Sequence, residues 1–125
     1  MKFMMLIKHP KDYDMRDVPP ALFGPMGEFV AENMKNGTII DGAGLQPLTK
    51  ATRLRIADGK IKVTDGPFSE AKEVVGGYAM CETRTHEEAI AIATKFMDLH
   101  RIYWPDFDGE AEVRPLEDMG EPPQA

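Results

Sequence analysis

The side chains with the strongest claim to chemistry are one carboxylate, one imidazole and one phenol: Asp65, His9 and Tyr78. Asp65 ends the run Lys60 to Asp65, in which apolar and polar residues alternate. As a strand, that run puts Asp65 on the face of Ile61 and Val63 and points its carboxylate toward an apolar interior. At the rim of an apolar cavity, desolvation raises a carboxyl pKa and suits it to proton transfer. The competing role is structural, because an Asp ahead of Gly-Pro commonly accepts hydrogen bonds from its own turn. His9 closes the first apolar run on the parity of Phe3, Met5 and Ile7, which carries its ring to a strand end where loops gather. A histidine there either serves a ligand or hydrogen-bonds a loop. Phe68 and Tyr78 could wall a pocket, with the tyrosine hydroxyl as its polar handle, or pack as loop anchor and core. Gly66 and Pro67 set the turn between Asp65 and Phe68, which makes Gly66, Pro67, Phe68 and Tyr78 the candidate ligand-binding set.

Other reactive types read as structure. His86 falls in the first turn of the second helix and His100 near its end, where the helix dipole favours the imidazolium, and both are expected at the surface. Cys81 lies in the strand-like Tyr78-Ala79-Met80-Cys81 with no cationic neighbour in sequence, so it is expected as a small buried apolar residue. Glu70-Ala71-Lys72-Glu73 reads as a solvated charged turn. No His, Cys or carboxylate grouping has metal-ligand spacing, and the sequence holds neither a phosphate-binding loop, a dinucleotide fingerprint nor a nucleophile elbow. No metal and no cofactor are expected.

The elements that must position these residues fit one domain, because 125 residues with 42% hydrophobic content suit a single core. A formal net charge of -6 argues against a nucleic-acid partner. The first apolar run, Phe3 to Ile7, is too short for a signal core or a membrane span, so the expected location is cytoplasmic. Lys2 to His9 reads as a central strand covered on both faces, ended by Pro10. Lys11 to Asp17 reads as an exposed polar connection. A helix is expected from Pro25, with Met26, Phe29, Val30 and Met34 in one stripe and Asn36-Gly37 as its left-handed stop. Thr38 to Ile40 is a short strand, followed by an irregular Gly-rich passage from Asp41 to Pro47.

Asp58-Gly59 is a strong hairpin signal, and a two-residue turn there pairs Leu54 with Val63 and Ile56 with Ile61 on a dry face. Arg53 then pairs with Thr64 and Arg55 with Lys62 on a basic, solvated one. Gly76-Gly77 leads into a strand from Tyr78 to Thr83, and Thr85-x-x-Glu88 reads as a capping box. The second helix carries Ile90, Ala93, Phe96 and Met97 in one stripe and ends near His100. The strand Ala111 to Leu116 has Val113 facing in, and the tail 117–125 contains Pro122-Pro123. Strand, helix, strand, hairpin, strand, helix, strand is an α+β order, the ferredoxin-like βαββαβ plan with an inserted hairpin.

The stretch from Asp65 to Tyr78 resembles the signature of the YCII-related, or DGPF-domain, family, D-G-P-F-x-E-x-K-E-x-x-G-G-[YF]. Met1 to Ile7, Gly44-Leu45-Gln46-Pro47 and Glu112-Val113-Arg114-Pro115 resemble the family's further landmarks in order, so one such domain is expected over residues 1–116. The resemblance implies a homodimer, two sheets facing each other as a dimeric α+β barrel, and a small-molecule pocket. Wider relatives resemble one another in a His-Asp acid/base pair whose histidine lies on the first helix; this chain has none between Pro19 and Gly37. The expected function is small-molecule binding with metal-free acid/base chemistry, lyase-like or isomerase-like, carried by Asp65 and His9. The alternative that the resemblance implies is a non-catalytic sensing or accessory domain, because DGPF proteins are often encoded beside, or fused to, extracytoplasmic-function sigma factors.

Overall fold

The computed structural model describes residues 1–68 and 72–118. Ser69 to Ala71 of the signature, and with them Glu70, lie outside the described residues, as does the tail from Met119. The chain is α+β. Strand β1 (Lys2–His9) is followed by helix α1 (Pro20–Lys35), β2 (Ile39–Gly44), a hairpin of β3 (Thr52–Ala57) and β4 (Lys60–Asp65), β5 (Val74–Glu82), α2 (His86–Tyr103) and β6 (Glu110–Pro115). Four strands form an antiparallel sheet in the order β2-β5-β1-β6, while β3 and β4 pair only with each other. This order is compatible with the ferredoxin-like plan.

β1 is central, as its apolar run requires, yet its two faces are unequal. Phe3, Met5, Ile7 and His9 are buried, while Met4, Leu6 and Lys8 are half-buried. The buried row packs beneath both helices. Met5 and Ile7 meet Ile39, Ala79, Cys81 and Ala93, with Phe29 of α1 and Phe96 and Met97 of α2 completing the layer. Phe3 is 0% exposed and stacks on the ring of His86 at 5.1 Å. Cys81 is buried, and that burial pushes its thiol pKa up, which fits a packing role. The opposite face carries an ion network instead of helices: Lys8 pairs with Glu112 at 2.6 Å and Glu73 at 3.2 Å, and Glu112 also meets Arg114. These hydrogen bonds raise the Lys8 pKa, and the Lys8 ammonium does most to lower that of Glu112.

Several boundaries depart from the sequence expectation, each for a local reason. α1 starts at Pro20 and passes through Pro25. Pro20 suits the first turn, where an N–H has no helical partner, and Gly24 lacks the Cβ through which a proline restricts the residue before it. Gly37, at φ 84°, ends the helix in the left-handed conformation expected. β2 continues through the Gly-rich passage to Gly44, because Gly42 lets the backbone approach β5 closely: a Cβ there would sit 2.9 Å from the Tyr78 carbonyl oxygen. β5 begins at Val74 and takes both glycines into the strand, with Gly76 as the extra residue of a bulge opposite Ile7 and Lys8. The capping box is half formed. Thr85 accepts from the Glu88 N–H at 3.2 Å, but Glu88 turns to the Arg84 N–H and guanidinium. α2 runs to Tyr103, one turn beyond the expected end, because Trp104 is buried and holds that turn down.

The hairpin register is the expected one in every pair, with Asp58 at φ 52° and Gly59 at φ 74°. Its apolar face is not dry: Leu54, Ile56, Ile61 and Val63 are 61–76% exposed. The hairpin stands off the main sheet, and among the described residues no strand or helix covers it. Phe3→Ala is expected to cost about 3–5 kcal/mol in urea unfolding, whereas Ile102→Ala, at a site 53% exposed on α2, is expected to stay within about 0.5 kcal/mol of wild type.

Candidate functional site

Burying one sheet face under two helices leaves a gap where α1 lifts away from the strands, and the 13–18 segment closes it at one end. The result is a cavity of ≈ 660 Å³ walled by β1, β2, β5, α1 and the C-terminal end of α2. That volume lies in the range of small-molecule sites. Met5, Ile7, Leu22, Met26 and Val30 make its lining largely apolar.

His9 stands in this wall, 7% exposed. Its Nδ1–H donates to the carbonyl of Lys11, a short contact across the turn that Pro10 forces. Donation from Nδ1 makes Nε2 the lone-pair nitrogen of the neutral ring. Among the described residues Nε2 has no hydrogen-bond partner, yet no buried side-chain nitrogen is left wholly enclosed without one, so this atom keeps some exposure in a residue that lines the cavity. Space for it is made by Gly76, where any Cβ would overlap Nε2. The bulge glycine and the strand-end histidine therefore form one device.

Aromatic rings hold the imidazole from the other side. Tyr13 meets His9 edge-on at 4.8 Å and Trp104 at 4.9 Å, and Phe107 touches Tyr13, Trp104 and His100. His100 is also buried, a correction to its expected surface position. Its Nδ1 bonds the Phe96 carbonyl at 3.0 Å, and burial pushes its pKa down, opposite to the dipole expectation. His100, Trp104 and Phe107 line a second groove of ≈ 650 Å³ between α2 and β6 as well, so they form a wall with space on both sides. The segment from Lys11 to Asp17 is not merely an exposed connection. Tyr13 and Asp14 are half-buried and line the cavity, and Asp14 caps a 3₁₀ turn over Met15–Asp17. The Arg16 guanidinium and backbone N–H hold the Asp14 carboxyl below the usual range.

The signature divides: Gly76, Gly77 and Tyr78 line the cavity, while its first four residues lie elsewhere. Asp65 is exposed and accepts from the Thr52 hydroxyl at 3.3 Å, so strand parity does not bring its carboxylate to the cavity rim. With the hairpin detached from the sheet, its apolar face is not the interior of this chain. The Gly66 N–H donates to the Ala51 carbonyl at 2.8 Å, and a Cβ on Gly66 would overlap the Leu48 carbonyl oxygen. The Gly66–Pro67 peptide is cis, and Phe68 lies beneath the Arg53 guanidinium at 4.0 Å. Asp65, Gly66, Pro67 and Phe68 thus brace the hairpin base, and none of them lines the cavity; Tyr78 borders it from β5, although its pairing with Leu6 puts its side chain on the sheet face away from the helices. Its hydroxyl reaches Asp41 at 3.5 Å. Gly44, Leu45, Gln46 and Pro47 all line it too, though in the sequence they stood only as a landmark. His9 was legible from parity; Tyr13 and His100 carried no signal beyond being aromatic near a strand end or helix end. Among the described residues no group of three or more His, Cys, Asp or Glu side chains is placed to hold a metal, and no helix is long and apolar enough to cross a membrane.

Gly76→Ala is expected to displace the His9 ring, visible as a shift of its side-chain nitrogen resonances at unchanged secondary structure, and to lower the melting temperature by several degrees. His100 makes a second, signed prediction. A buried imidazole whose folded pKa is depressed binds fewer protons than in the unfolded chain, so stability is whole above about pH 6.5 and falls as the pH drops below it. His100→Phe is expected to flatten that limb in pH-dependent unfolding, while leaving the steeper acid loss set by carboxylates such as Glu88 and Glu112.

The YCII-related domain matches residues 1–96, most of the chain from β1 into α2. An uncharacterised protein from Rhizobium meliloti (strain 1021) is 35% identical over 74 residues, which cover 59% of this chain and 56% of that protein. The chain therefore spans little more than half the length of the relative it matches. With β1, the Gly-rich β2, the signature turn and most of α2 all inside the matched stretch, the chain belongs to the YCII-related domain family.

Proposed function

We propose that this protein binds a small, largely apolar molecule in the cavity between α1 and the sheet, with His9 as the group that exchanges a proton with it. The observation that carries this reading is His9, a buried residue in the cavity wall whose Nε2 is not itself enclosed and has no partner among the described residues. An accessible lone pair in a largely apolar wall is a fixed acceptor that a ligand donor can bond. A fixed imidazole with one free lone pair suits abstraction of a proton from a hydroxyl or from carbon beside a carbonyl, the step shared by lyase-like and isomerase-like reactions. Asp65 is left to the hairpin base.

A homodimer is part of the proposal. Met4, Leu6, Tyr78 and Met80 lie on the sheet face without helices, and Leu54, Ile56, Ile61 and Val63 present a second apolar surface. Two-fold pairing is the commonest way to cover such faces, and a ferredoxin-like sheet paired in this way makes an α+β barrel.

The test is a melting-shift screen of apolar carbonyl and hydroxy compounds, followed by turnover assays on whatever binds. Val30→Trp, which fills the cavity from α1, is expected to abolish binding while circular dichroism stays native. His9→Gln is expected to keep binding within about tenfold and to lower turnover by roughly 10²–10⁴. Binding with no turnover on any compound would assign the cavity to sensing, and sedimentation of a monomer at all concentrations would remove the dimer.

A further inference from the structure

The charge and hydrogen-bond character of the cavity narrows what it can hold. Among the described residues it is walled without a single lysine or arginine, and the one carboxylate they bring to it, Asp14, is occupied by Arg16 and by its own turn. A carboxylate or phosphate entering this space would give up its water for methionine, aliphatic and aromatic surface with no cation to meet it. A protonated amine would find the lone acid already paired. What the wall does offer is an acceptor. The Lys11 carbonyl holds the Nδ1–H of His9, so Nε2 presents a lone pair, and His100 is fixed in the same tautomer by the Phe96 carbonyl. An acceptor in an apolar cavity is satisfied by a hydroxyl hydrogen, and the rings of Tyr13, Trp104 and Phe107 beside it favour a flat molecule.

We infer that the ligand is an uncharged hydroxylated ring compound, a phenol or enol, whose O–H donates to Nε2 of His9. This rests on the cavity being a ligand site, and it adds the selection: neutral donors over apolar molecules of the same shape, and both over anions. The same hydrogen bond that holds the ligand aligns the proton His9 would take, leaving the oxygen as phenolate or enolate and the ring as imidazolium. The proton returns to oxygen or to a ring carbon when the bond reverses, so no further reactant is required.

Three probes of one shape test it on the intact chain at neutral pH by calorimetry: naphthalene, 1-naphthol and 1-naphthoate. 1-Naphthol is expected to bind about tenfold more tightly than naphthalene, the worth of one well-made hydrogen bond, and 1-naphthoate to bind more weakly than either. In His9→Leu the tenfold preference should collapse while naphthalene still binds. Independently of any variant, 1-naphthol should move the Nε2 resonance of His9 in wild-type protein far more than the Nδ1 resonance. Equal affinity for naphthalene and 1-naphthol would overturn the inference while leaving the cavity a ligand site, and so would a preference for 1-naphthoate. Failure of all three probes to bind would overturn the ligand site itself.

Discussion

A strand presents its side chains alternately to two sides, and in this protein the middle strand assigns one side wholly to the helices. Phe3, Met5, Ile7 and His9 form a single row. The first three take part in the packing that fixes α1 and α2 over the sheet; the fourth continues the row past the point where the helices still cover it. A polar ring therefore reaches an apolar interior without any element being built to deliver it. A one-residue slip of β1 would turn His9 to the face of Lys8 and Glu112 and empty the site. The core and the cavity thus depend on the same register.

The position of the imidazole is overdetermined. Pro10 ends the strand and turns the Lys11 carbonyl back onto Nδ1, the bulge at Gly76 clears room for Nε2, and Tyr13 leans on the ring edge. Each of these contacts fixes a different degree of freedom: the first sets the tautomer, the second the depth and the third the tilt. On the proposed reading, such preorganisation would present a ligand with an atom already aimed, so that little of its binding energy would go into ordering the protein.

Much of this was legible in the chain. The hairpin register followed from Asp58-Gly59 alone, since a two-residue turn leaves no freedom in pairing. β1, the two helices and the burial of Cys81 followed from local pattern. What local pattern lacks is knowledge of which segments leave the core. The alternation Ile61, Val63, Asp65 is a sound argument for a shared face, yet that face is interior only if the strand joins the main sheet, and this one does not. The front of the most distinctive motif was therefore expected at a cavity rim, whereas Gly66, Pro67 and Phe68 pack at the root of the hairpin, and of its described residues only the last, Gly76 to Tyr78, line the cavity. Tyr13 and His100 failed to stand out for the converse reason. Each is brought to the cavity by long-range packing around Trp104 and Phe107, and nothing in their own neighbourhoods marks that.

The hairpin carries a consequence for how molecules of this protein behave toward one another. Four aliphatic side chains held out in water make an adhesive arm, while the excess of acidic over basic residues gives every molecule the same sign. Like charge keeps molecules apart only beyond a screening length of about 8 Å in physiological salt; inside it, greasy surfaces attract. Colloidal behaviour thus follows ionic strength, with salt lowering the barrier that separates one arm from the next.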